Sequence, residues 1–136
     1  MPHNPSGEAT RWLRQAERDL DDARYLLAGD RYGLACFVAQ QAAEKALKAF
    51  LYAAGAEEVW GHSVADLCSE ATALDAAFDA LRPTLAPLDK FYVPTRYPDG
   101  LPGGIPAEAF SRADAEGALS MAATAVEAVR RALEAA

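Results

Sequence analysis

Apolar positions along this chain recur at spacings of three and four, the signature of helices buried on one side. Leu13, Ala16, Leu20, Ala23 and Leu27 draw the first stripe, which predicts a helix from Glu8 or Thr10 to Ala28. Its other side carries Arg14, Glu17, Arg18, Asp21 and Asp22, a solvated face. Gly29 stops it, and Asp30 is the expected N-cap of a second helix that runs to about Ala54 before Gly55. Ser63, with Asp66 three residues on, predicts a short third helix by a capping-box arrangement. Leu74, Phe78, Leu81, Leu85 and Leu88 form another stripe, interrupted by Pro83 and Pro87. Each proline removes a backbone donor and obstructs the preceding turn, so this helix is expected to be kinked or divided near Pro83 and to end around Tyr92. The last helix is expected from Ser111, with Asp114 as capping partner and Leu119, Ala122, Val126, Val129 and Leu133 as its core stripe. Arg130 and Arg131 near its end suit the helix dipole.

No strand pattern survives: Tyr92-Val93 and the residues around Val59-Trp60 are too short to build a sheet. The fold class predicted is all-α, an antiparallel up-and-down four-helix bundle with an additional short helix, in a single domain over residues 1–136. Residues 93–106 hold four prolines and three glycines and form the one long loop.

The second helix is apolar on nearly every side. Leu34, Phe37, Val38, Leu47, Phe50, Leu51 and a run of alanines leave one polar seam, Gln41, Glu44, Lys45 and Lys48 at i, i+3, i+4 and i+7. A helix of this kind is usually central in a bundle, and polar groups buried on it unpaired cost about 1–3 kcal/mol each. Two readings stand. In one, the seam is a solvent strip, with Glu44 and Lys48 an exposed ion pair worth roughly 0.3–0.5 kcal/mol. In the other it is a ligand site or subunit contact, where Lys45 or Lys48 meets a phosphate or carboxylate.

Arg96, Tyr97 and Asp99 in the proline loop are a second candidate set. A guanidinium presents a planar fork to phosphate or carboxylate, and a tyrosine ring can stack on a base. Pro98 holds Tyr97 extended. Alternatively Arg96 pairs with Asp99 and Tyr97 only closes the bundle. His62 is a candidate general base, although a histidine beside an N-cap more often bonds to backbone or water. His3, near the start of the chain, is not a candidate.

Composition narrows the classes. The 136 residues are 51% hydrophobic and 24% charged, those of a folded domain able to bury roughly two thirds of its unfolded surface. The net charge of -7 argues against extended nonspecific nucleic-acid binding while leaving room for a local basic site. Residues 1–9 are polar and contain Pro2 and Pro5, so no signal peptide is expected. The 34–54 stretch carries too many polar groups to span a bilayer. Cys36 and Cys68 are expected to be free thiols in a reduced, cytoplasmic setting. No metal is expected, since no Cys-x-x-Cys or histidine cluster supplies four ligands, and no cofactor motif is present.

One order of motifs is informative together: Trp12-x(3)-Ala16-x(2)-Asp19-Leu20-x(2)-Ala23, then Gln40-Gln41-Ala42-Ala43-Glu44-Lys45-Ala46-Leu47-Lys48-Ala49, then His62-Ser63-x(3)-Leu67 and Arg96-Tyr97-Pro98-Asp99. From about Thr10 to Leu133 the chain resembles the HEPN domain of nucleotide-binding proteins. The resemblance implies a helical bundle that usually dimerises, with a minimal nucleotidyltransferase as a frequent separate partner chain. In that arrangement the HEPN chain serves as a nucleotide- or substrate-binding subunit. Gln41, Glu44, Lys45 and Lys48 would then line the site or a subunit contact, Arg96 and Tyr97 would contact a phosphate or ring, and Asp99 would orient Arg96.

Other family members are metal-independent ribonucleases, often toxins of toxin–antitoxin pairs, with an Arg-x(4–6)-His motif. Here the positions that would carry the arginine for His62 are Gly55, Ala56 and Glu57. The motif is absent, which shifts weight from RNA cleavage, with His62 and Arg96 as its candidate residues, toward binding. A purely structural dimerisation module is the third expectation.

Overall fold

The computed structural model describes residues 5–135, so His3 lies outside the described residues. The long helices are α1 (Pro5–Ala28), α2 (Tyr32–Ala53) and α6 (Arg112–Ala135), with α3 (Val64–Thr72) between them in sequence. The α1 helix begins earlier than its apolar stripe announces. Among the described residues there is no strand, and no helix is long and apolar enough to cross a membrane.

α2 is the central rod, packed on α1, α6 and α3. Its alanines explain how. Ala35, Ala39, Ala42, Ala43, Ala46 and Ala49 are fully buried, as are Ala16 and Ala23 of α1 and Ala115, Ala118, Ala122 and Ala125 of α6. Methyl-sized contacts let helix axes approach toward the close end of the usual 8–10 Å range. Leu47, Leu67, Val126 and Val129 fill the remaining volume.

The fourth side is not one helix. Pro83 and Pro87 divide it into a 3-10 turn (Ala76–Leu81), the single-turn α4 (Arg82–Leu85) and a second 3-10 turn (Ala86–Phe91). Phe78, Leu85 and Leu88 still point into the core, whereas Leu74, first in the expected stripe, is 59% exposed. The proline loop contains a 3-10 turn at Pro98–Gly100 and the short α5 (Pro106–Ala109). It is folded upon itself: a side chain at Gly100 would come within 3.1 Å of the Pro94 backbone.

Two caps differ in origin. Ser111 and Asp114 cap α6 reciprocally, Ser111 N donating to Asp114 Oδ2 (2.9 Å) and Asp114 N to Ser111 Oγ (3.1 Å). Asp30 is not the cap of α2. It takes a left-handed backbone (φ 61) in the α1–α2 turn, which aspartate tolerates, and accepts from Tyr32 Oη and Arg112 instead. The N-cap position belongs to Arg31, without a capping side chain.

At α3, Ser63 Oγ accepts from Asp66 N as expected, and Asp89 adds a carboxylate from the broken segment. It accepts from Ser63 Oγ (2.8 Å), Val64 N (2.6 Å) and Ala65 N (3.2 Å). Three charge-assisted bonds at a helix start predict that Asp89→Ala costs about 2 kcal/mol, measured by urea unfolding.

Cys36 and Cys68 are both free and buried. Burial pushes the Cys36 thiol from its ordinary 9.0 up to about 12. The sign follows from linkage: the unfolded chain ionises first, so stability falls as pH rises from about 9 to 12, by up to about 1.4 kcal/mol per pH unit for this group. Cys36→Ala is expected to flatten that slope in alkaline unfolding curves.

Candidate functional site

The seam of α2 is buried at Glu44 and Lys48, half-buried at Gln41 and Lys45, and partnered from within the fold. Glu44 and Lys48 are 4% and 6% exposed, and Gln40 is fully buried. Glu44 Oε2 lies 3.3 Å from Lys48 Nζ, and Glu44 Oε1 lies 3.2 Å from His62 Nδ1. Gln40 Nε2 donates to Glu44 Oε1 (3.3 Å) and to the His62 carbonyl (2.9 Å), while Gln41 Nε2 donates to Gln40 Oε1 (2.7 Å). Lys45 turns to α1, where Asp19 holds it at 2.5 Å and Gln15 donates to the same carboxylate at 2.8 Å. The exposed solvent strip is therefore excluded for Glu44 and Lys48. These polar groups join α2 to α1 and to the connector before α3.

One edge of that network reaches the surface. The His62 ring, 58% exposed, stacks on Tyr92 (centroids 4.7 Å, 17° between planes). Tyr92 meets Phe37 of α2 (6.1 Å), and the Arg96 guanidinium lies over the Phe37 ring at 4.6 Å. The Tyr97 ring, 55% exposed, flanks the same guanidinium at 5.9 Å. Seam and loop, far apart in sequence, are thus joined through a ladder of rings, with Tyr92 and Phe37 as rungs that sequence reasoning did not single out.

Asp99 does not orient Arg96: no ion pair joins them, and among the described residues Arg96 has no carboxylate partner. The rings replace it. Stacking engages the face of a guanidinium and leaves its N–H edge open to an acceptor. Backbone bonds fix the approach, with Arg96 N and Tyr97 N both donating to the Val93 carbonyl (2.9 and 3.2 Å) and Thr95 Oγ1 donating to the Phe91 carbonyl.

Arg96 lines a pocket of about 450 Å³ with Arg31, Tyr32, Thr95, Pro98 and Ile105. That volume is within the range of small-molecule sites. Arg31, like Arg96, has no ion-pair partner among the described residues. Among the described residues no group of three His, Cys, Asp or Glu side chains is arranged to hold a metal ion.

A helical bundle with α2 at its centre, a satisfied polar seam and an arginine-bearing proline loop defines the class. The HEPN domain model matches residues 9–132, and the chain belongs to the HEPN domain family. Among solved structures it is similar to TT1696 of Thermus thermophilus, at 40% identity and a TM-score of 0.86, covering 91% of this chain and 97% of that one. ST0689, described as an archaeal HEPN homologue, is 38% identical with a TM-score of 0.74, covering 90% and 95%. An HEPN domain protein of Thermotoga maritima is 31% identical with a TM-score of 0.71, covering 91% and 98%. No curated protein matches the chain.

Proposed function

We propose that this HEPN domain chain is a noncatalytic nucleotide-binding module, a homodimer that acts with a separate minimal nucleotidyltransferase, an arrangement that includes toxin–antitoxin pairs. The observation that carries the reading is Arg96, held by rings, without a carboxylate partner, at a pocket that also holds Arg31. Two open guanidiniums suit a phosphate, and Tyr97 and His62 supply ring surfaces for a base or sugar. Gln41, Glu44, Lys45 and Lys48 then act behind the site: they fix His62 and the face of α2 on which Phe37 stands. About half of Leu34 and of Ile105 is exposed at the pocket, an apolar rim that suits a second chain. Equilibrium titration with nucleotides, with and without the nucleotidyltransferase, tests the proposal. Absence of binding in both settings removes the nucleotide from it, and a monomer by light scattering removes the dimer.

One observation favours a second reading. His62 has its Nδ1 on the buried Glu44 carboxylate while its ring remains half exposed, the orientation a general base needs. In metal-independent RNA cleavage His62 would take the 2′-hydroxyl proton and Arg96 would hold the phosphate. That reading requires RNA cleavage that survives EDTA and disappears in His62→Ala. Intact RNA after incubation with the purified chain rejects it.

A further inference from the structure

We propose that a groove along α1, apart from the Arg96 pocket, binds a linear run of phosphates. The groove measures about 730 Å³ and is lined by Glu8, Arg11, Trp12, Arg14, Arg18 and Lys45, together with Gln15. It shares no lining residue with the Arg96 pocket. Four of the chain's 13 Lys and Arg side chains line it, against one of its 20 Asp and Glu. In a chain of net charge -7 that is a local excess of cations along an open groove, although Arg11, Arg18 and Lys45 each have a carboxylate partner at its edge.

The geometry is that of a track. Arg11, Arg14 and Arg18 stand at i, i+3 and i+7, so they share one face of α1 and cover roughly 10 Å along its axis. That length accommodates more than one phosphate. Lys45 reaches in from α2, its direction fixed by Asp19 and Gln15. Arg14 has no ion pair among the described residues. Arg11 and Arg18 pair with Glu8 (2.8 Å) and Asp22 (3.3 Å), but both arginines are more than 70% exposed, and surface pairs of this kind exchange readily for a polyanion. Arg24, further along α1, lines the neighbouring groove against α6, which Arg18 also borders, and lacks an ion pair among the described residues, so Arg24→Gln controls for binding on that side of Arg18.

The shared chemistry is a chain of phosphates, whether free polyphosphate or the backbone of a nucleic acid strand. The test is calorimetric titration of the full chain with inorganic tripolyphosphate and, separately, with a short single-stranded RNA. Saturable binding in either arm is expected, lowered at least tenfold in the Arg14→Gln, Arg18→Gln double variant. Arg24→Gln is expected to stay within twofold of the parent. A Trp60→Phe background leaves Trp12 as the tryptophan reporter at the groove, and its fluorescence is expected to change along the same isotherm. Binding of tripolyphosphate identifies the small polyanion as sufficient; binding of RNA alone identifies the strand. The proposal is overturned if neither probe binds, if Arg24→Gln loses as much as the double variant, or if only Arg96→Gln loses binding. That last result would place the phosphates in the Arg96 pocket and leave the proposed function standing.

Discussion

Lys48→Met is expected to lower the unfolding free energy by about 3 kcal/mol, toward the lower end of the usual cost of breaking a buried pair. The side chains of Lys48 and Glu44 are 8% and 5% exposed, so removal of the ammonium leaves a carboxylate that water hardly reaches. Gln40 and His62 still bond to Glu44, which holds the loss below the full range. Methionine keeps the length of the stem and a contact with Trp12, whose ring lies 5.7 Å from Lys48 Nζ, so the loss reports charge rather than volume. Adding Glu44→Gln to Lys48→Met removes the stranded charge, and the double variant is expected to be more stable than Lys48→Met alone. Urea unfolding of the parent and the two variants gives the comparison. A cost under about 1 kcal/mol for Lys48→Met would return the seam to the status of a surface strip.

Arg96→Ala is expected to weaken nucleotide binding by about tenfold to a hundredfold, the equivalent of one or two charge-assisted hydrogen bonds to phosphate. Its cost in stability is expected to stay near 1 kcal/mol, since what is lost within the fold is a cation–π contact with Phe37 at an exposed position. Arg96→Lys separates charge from shape. A lysine keeps the positive charge but lacks the planar fork that lies over the Phe37 ring, so it is expected to recover only part of the affinity. Full recovery by lysine would assign Arg96 a merely electrostatic role, and an unchanged affinity in Arg96→Ala would remove the pocket from the proposed site.

Much of the fold was legible because its determinants are local. The stripe of Leu119, Ala122, Val126 and Val129 and the Ser111–Asp114 cap each lie within one helix, and the structure keeps them. The division at Pro83 and Pro87 was likewise a local matter of missing donors. Asp89 shows the limit: it caps α3 from 25 residues away, and nothing in the spacing of residues 63–66 announces it.

The same limit governs the site. Periodicity places Gln41, Glu44, Lys45 and Lys48 on one seam but cannot say what covers it. The covering groups are Asp19 of α1, 26 residues before Lys45, and His62, 18 residues after Glu44. Asp30 reads as a cap in the sequence because a left-handed turn residue and an N-cap draw on the same short polar side chains. Asp99, three residues from Arg96, is the natural carboxylate partner in sequence, yet the rings of Phe37 and Tyr97 take that place.

The central claim is a division of labour: the seam on α2 is internal scaffold, and the ligand meets the ladder that ends at Arg96. Chemical-shift mapping on the labelled chain, titrated with a nucleoside monophosphate, measures this directly. The account predicts saturable shifts at Arg96, Tyr97, His62 and Arg31, with the Lys48 side-chain signals unmoved. Shifts at Lys48 with Arg96 silent would contradict it.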